Sequence, residues 1–160
     1  MTLMQKNLSF IVSLALVCLV GTLGALASVD AKAFYGALNQ PSWAPPAWLF
    51  GPVWTLLYLM MAFSLWLYWL SAARKPLGLV IFLLQLAANA LWSWLFFKWH
   101  LGAWALLDVL LLLVLIAASV RLFLPANRLA GYLLLPYLAW VGFASVLTLG
   151  VWQLNPAVLG

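Results

Sequence analysis

The sequence predicts an all-α integral membrane bundle of five transmembrane helices, with a structured loop between the first two. Three observations carry this. Hydrophobic residues make up 69% of the 160 and charged residues only 6%, with a mean hydropathy of +1.17. A soluble domain carries about 25% charged residues, so this chain lacks the polar surface to face water all round. Apolar runs recur along it at lengths that cross ~30 Å of hydrocarbon. The longest connector is rich in proline and tryptophan instead of the Gly, Ser and charge of a flexible linker. At 17.7 kDa these elements are expected to form a single transmembrane domain over residues 1–160.

The first span is placed at Leu8 to Val29, with no charge between Lys6 and Asp30. Lys6, the apolar run and Ala25-Leu26-Ala27 before Ser28 also resemble a cleavable signal peptide, but the run is long for one and a retained helix is expected. Gly21, Gly24, Ala25 and Ser28 make a small-residue face that lets another helix approach closely. Packing within the chain and dimerisation explain that face equally well.

The loop from Asp30 to Ala47 follows. Ala33 to Asn39 reads as a short interfacial helix ended by Pro41, and Pro45-Pro46 stiffen what comes next. The second span is placed at Trp48 to Ala73, with Pro52 in the first turn, where proline is tolerated. Trp54, Tyr58 and Met61 share one of its faces, and Arg74-Lys75-Pro76 ends it.

The third span, Leu77 to Phe97, carries Gln85 and Asn89 one turn apart, with Trp92 further along the same face. Amides in hydrocarbon are costly unless paired, so this face is expected to point into the bundle, for interhelical hydrogen bonds, for a ligand, or for both. The fourth span, Ala103 to Leu124, holds Asp108 inside its first two turns. An intramembrane carboxylate marks a candidate functional site, although one near a helix end can instead snorkel or accept a hydrogen bond from a Trp or Tyr. The fifth, Leu129 to Trp152, contains Pro136, which frees a carbonyl and is expected to kink the helix beside Tyr137 and Trp140.

Seven Lys/Arg against two Asp/Glu give a net charge of +5. The basic residues are scattered at helix ends, so they read as topology signals and not as a nucleic-acid surface. With the N-terminus cytoplasmic, Lys6, Arg74, Lys75, Arg121 and Arg128 all fall inside, leaving Lys32 and Lys98 outside. The proline-tryptophan loop and the C-terminus then share the opposite face.

Little catalytic chemistry is on offer. There is no nucleophile motif, phosphate loop or dinucleotide fingerprint, and no catalytic residue is assigned. One cysteine (Cys18) and one histidine (His100) assemble neither a disulfide nor a metal cluster, so no metal or cofactor is expected. His100 reads as a solvated or structural histidine. What the chain does offer is aromatic surface, at 16% of residues. Interfacial belts account for Trp48, Trp66, Trp69, Trp99, Trp104 and Trp152. Trp54, Trp92 and Trp140 lie deeper, and with Tyr58, Asn89 and Tyr137 they suit a pocket for a flat, mostly apolar ligand.

These residues also carry a family resemblance over nearly the whole length. Its elements are Tyr35, Leu38, Pro41 and Trp43-x-Pro45-Pro46 in the loop, then Trp54 and Leu57-Tyr58. They continue with Gln85-Leu86-x-x-Asn89-x-x-Trp92 and Phe96-Phe97, then Trp104 to Asp108, then Pro136-Tyr137 with Trp140 and Phe143. The chain resembles the translocator protein / tryptophan-rich sensory protein (TspO/MBR, peripheral benzodiazepine receptor) family, as a bacterial-type member.

The resemblance implies a homodimer in the bacterial cell membrane that binds porphyrins such as protoporphyrin IX, and benzodiazepine-site ligands, in tetrapyrrole sensing, transport or regulation. The alternative it carries is a light- or oxygen-dependent porphyrin-degrading enzyme using the pocket tryptophans. Carried over by position, the ligand site is Tyr35, Pro41 and Trp43 in the loop, Trp54 and Tyr58 on the second span, Asn89 and Trp92 on the third, and Trp140 and Ala144 on the fifth. Phe34 replaces the usual Trp, Gln40 the usual Lys, and Leu147-Thr148 the usual Leu-Asn. The sterol motif requires a Tyr and a terminal basic residue where this chain has Leu149 and Gln153, so sterol binding is not expected.

Overall fold

The computed structural model describes residues 2–160, and the described chain is helical throughout its ordered elements. Five helical stretches are long and apolar enough to cross a membrane. The first is α1 (Leu3–Ala27). It begins earlier than hydropathy places it, because Thr2 and Gln5 form a reciprocal capping box ahead of the apolar run. The short α2 (Ala31–Ala37) follows, and a 3₁₀ turn (Ala47–Leu49) leads into α3 (Phe50–Leu70).

α3 stops before the predicted Ala73. The Ser71 hydroxyl leaves the helix to donate to the Ala126 carbonyl at 2.7 Å, and Ser71 takes an extended backbone. The turn after it is pinned by Tyr68, whose hydroxyl donates to the Lys75 carbonyl (3.0 Å) and accepts from the Lys75 N–H (2.8 Å). Gly78 makes this possible, since a Cβ there would collide with the Tyr68 hydroxyl.

α4 (Pro76–Ser93) runs into a π-helical turn (Trp94–Lys98), and α5 (Gly102–Ala126) returns. The predicted loop after the fourth span shrinks to Asn127, whose side chain caps the next helix by accepting from Ala130 N–H at 3.1 Å. The fifth span is two helices, α6 (Arg128–Leu133) and α7 (Leu135–Leu154), broken at Leu134. That is the expected effect of Pro136, which has no N–H for the carbonyl one turn back. A final turn, α8 (Pro156–Leu159), closes the chain.

The helices pack as a ring. α1 lies between α3 and α4, α4 packs on α5, and α5 packs on α6 and α7. The ring closes where α6 meets α3. Beyond the break α7 leans on α5, and α3 and α7 are bridged by aromatic contacts of Phe50 with Trp140 (5.9 Å between centroids) and of Trp54 with Tyr137 (6.1 Å). The half of the bundle near α6 is therefore filled, by Met61, Tyr68, Phe82 and Phe123 among others, with Tyr68 and Phe123 stacked at 3.8 Å. The half under the loop is not.

Candidate functional site

Under the loop, between the diverging ends of α3 and α7, lies a cavity of about 380 Å³. That is within the usual size range of small-molecule sites. Each helix contributes for a local reason. α1 brings Gly21 and Gly24, whose missing side chains make room for Tyr58 and Ser93: a Cβ on Gly21 would sit 3.1 Å from the Tyr58 ring. The two glycines of the small-residue face thus pack within the chain, while Ala25 on the same face is exposed. α3 presents Phe50, Trp54 and Tyr58 on one face, and the ring centroids of Trp54 and Tyr58 are 5.5 Å apart. In the π turn, two consecutive residues, Phe96 and Phe97, both reach the wall. Such turns recur at functional sites.

Behind the wall runs a directed chain of hydrogen bonds. The Tyr58 hydroxyl donates to Asn89 Oδ1 (2.8 Å), Asn89 Nδ2 donates to the Tyr137 hydroxyl (3.1 Å), and Tyr137 donates to Gln85 Oε1 (2.9 Å). Gln85 Nε2 ends the chain against Met61 Sδ at 4.0 Å. Both helix-four amides therefore tie α3, α4 and α7 together, and Asn89 also lines the cavity. Tyr137 is fully buried behind the wall and not on it.

Three other wall residues are not satisfied in this way. The Tyr35 hydroxyl and the indole N–H groups of Trp92 and Trp140 are buried without a hydrogen-bond partner. Burial pushes the Tyr35 phenol above its ordinary range. Lys32, on α2, lines the same cavity.

Of the nine residues expected at the ligand site, seven surround the cavity: Tyr35, Trp54, Tyr58, Asn89, Trp92, Trp140 and Ala144. Pro41 and Trp43 stand apart from the wall. Both pack over Gly150 on α7, and Trp43 meets Phe143 edge-on at 6.0 Å while remaining half exposed. They clamp the loop from outside. Among the lining residues not expected at the site are Phe50, Lys32, Phe96, Phe97 and the two glycines of α1; the glycines had a signal in their spacing, whereas Phe50 and Lys32 had none.

The atypical loop residues find local uses. Gln40 Nε2 donates to the Tyr35 carbonyl at 2.6 Å, holding the end of α2. Phe34 stacks on His100 at 4.2 Å; His100 itself is exposed, at a φ of 55°. Asp108 neither snorkels nor receives an indole: it is buried, and its Oδ2 has no partner. Among the described residues no group of His, Cys, Asp and Glu could hold a metal ion.

Fold and cavity together define a multi-pass helical membrane protein with a partly aromatic cavity beneath a loop. The chain belongs to the TspO/MBR family, whose profile matches residues 12–153. It is 40% identical over 126 residues to the tryptophan-rich protein TspO of Chlorobaculum tepidum, covering 77% of this chain and 80% of the relative. It is 37% identical over 146 residues to protein CrtK of Rhodobacter capsulatus, covering 85% and 86%. To the human translocator protein it is 36% identical over 154 residues, covering 92% and 89%.

Proposed function

We propose that the chain is a membrane receptor or carrier for porphyrin-type tetrapyrroles, which also accepts benzodiazepine-site ligands, with the cavity beneath the loop as the binding site. One observation carries the reading. The wall combines flat aromatic rings with three buried donors that have no acceptor in the protein. An unpaired buried donor costs about 1–3 kcal/mol, and small ring rotations would offer these groups to a ligand. A flat macrocycle with pyrrole nitrogens and carboxylate arms supplies both the stacking surface and the acceptors, and Lys32 supplies a countercharge.

In this reading the protein sits in the bacterial cell membrane as a homodimer, with the N-terminus and the basic end cytoplasmic and the loop outside. Titration with protoporphyrin IX should quench tryptophan fluorescence saturably, and Trp54→Ala or Trp140→Ala should weaken binding. Quenching that never saturates, and is equal in both variants, would remove the cavity as the site.

A second reading, degradation of the bound porphyrin in light or oxygen, draws on Trp54, which sits within 5.5 Å of Tyr58 and 6.1 Å of Tyr137 as an oxidisable group beside the ligand. It requires turnover above that of free porphyrin under the same illumination, lost in Trp54→Phe. Stoichiometric bleaching would leave it without support.

A further inference from the structure

At the opposite end of the bundle a second cavity, also about 380 Å³, opens between α1, α3 and α4 on the outer surface. Its lining is almost wholly aliphatic: Leu8, Val12 and Leu16 on α1, Leu65 on α3, and Leu79 and Leu83 on α4. The two hydroxyls in it are already committed along their own helix, Ser9 to the Lys6 carbonyl (2.8 Å) and Ser13 to the Ser9 carbonyl (2.9 Å). Gln5, at the N-terminal edge of the lining, uses its Oε1 to accept the Thr2 N–H at 2.9 Å, so the body of the groove suits a hydrocarbon chain.

The mouth is different. Trp69 lines the groove, and the Arg74 guanidinium lies over its ring, 5.1 Å from the centroid. Arg74 spends one donor on the Ser71 carbonyl at 3.1 Å; a guanidinium has five N–H donors, so a fork remains for a phosphate. Lys75 follows on the turn whose backbone Tyr68 pins from both sides. Lys6 is held nearby, because its carbonyl accepts the Trp66 indole N–H at 3.1 Å. The chain's two acidic residues lie away from this end: Asp30 precedes α2 and Asp108 is in the early turns of α5. The basic groups are thus not neutralised within the protein.

We infer that this groove is a binding site for an anionic phospholipid of the leaflet facing the basic end. One acyl chain lies between α1 and α4, and the phosphate rests on Arg74, Lys75 and Lys6. Charge complementarity selects the headgroup, and the pinned turn fixes the backbone that carries Arg74 and Lys75. A zwitterionic lipid fills the same groove but brings its own cation to the mouth, so it is held less well.

Native mass spectrometry of the detergent-solubilised protein with equimolar dioleoyl phosphatidylglycerol and dioleoyl phosphatidylcholine tests this. The wild type should retain one phosphatidylglycerol in preference. At about fivefold per basic residue near a headgroup, Arg74→Gln with Lys75→Gln should cut that preference roughly twentyfold while leaving phosphatidylcholine retention unchanged. Val12→Trp, which fills the groove from an exposed position, should displace both lipids; Leu83→Trp replaces it if that variant unfolds. Equal retention of the two lipids by the wild type overturns the proposal, and so does phosphatidylglycerol retention that survives the groove-filling variant.

Discussion

Asn155 holds the backbone of Asn39 from both sides. Its Oδ1 accepts the Asn39 N–H at 2.8 Å and its Nδ2 donates to the Asn39 carbonyl at 2.8 Å, while the same nitrogen reaches the Val151 carbonyl at 2.7 Å. One buried amide thus fastens the loop over the cavity to the far end of α7. The loop is not held by proline stiffness alone: it is latched.

Asn155→Ala removes the latch and leaves two backbone groups of the loop to water. A net contribution of about 0.5–1.5 kcal/mol per hydrogen bond predicts a loss of roughly 1–3 kcal/mol in thermal unfolding. Backbone exchange should rise over residues 38–44 while α4 and α5 stay protected. If a ligand occupies the cavity, its dissociation should quicken more than its association changes. A variant whose loop exchanges like the wild type would show that Pro41 and Trp43, packed on Gly150, suffice to hold it.

How much of this was legible in the sequence depended on what kind of force sets each feature. The five spans were readable because hydrocarbon imposes length and composition on each one separately. Their ends were not, because single polar side chains decide them: Thr2 and Gln5 extend α1, Ser71 ends α3 early, and Asn127 starts α6 at once. Inward faces were readable where a polar residue marks them, as Gln85 and Asn89 mark α4. The position of Trp43 over Gly150 was not readable, because a tryptophan signals an important surface without saying which side of the loop it occupies. Asn155 carried no signal, since its partner is 116 residues away and is backbone.

Tyr137→Phe tests the polar chain behind the cavity. It strips the acceptor from Asn89 Nδ2 and the donor from Gln85 Oε1. Interhelical hydrogen bonds in membranes are worth roughly 0.6–2 kcal/mol each, so unfolding should be destabilised by about 1–3 kcal/mol. Asn89→Leu in the same background should then cost less than it does alone, because the two residues share one network. Strict additivity would mean that the network contributes geometry without energy.

Gly21→Leu separates the two readings of the small-residue face. A Cβ there already meets the Tyr58 ring at 3.1 Å, and the longer side chain drives that ring into the cavity. Protoporphyrin binding should weaken by roughly tenfold or more, within the 1–3 kcal/mol that overpacking commonly costs, and the oligomeric state in detergent should stay unchanged. A shift in oligomeric state with binding intact would assign the face to assembly.

Lys32 offers the sharpest reading of ligand polarity, because it is a cation among cavity-lining residues that are otherwise uncharged. It is exposed, at the level of the loop. An ion pair at such a rim is screened and contributes little, about a two- to fivefold effect on affinity. Lys32→Gln should therefore weaken protoporphyrin IX by that factor, and the difference should shrink as salt is raised through the Debye regime. The dimethyl ester of the same porphyrin has no carboxylate to pair, so its affinity should be the same for both proteins at every salt concentration. Equal losses with diacid and diester would mean that Lys32 supports the shape of α2 and not the charge of the ligand. A loss well beyond fivefold, insensitive to salt, would mean that a porphyrin carboxylate is drawn inside the loop, next to the unpaired hydroxyl of Tyr35.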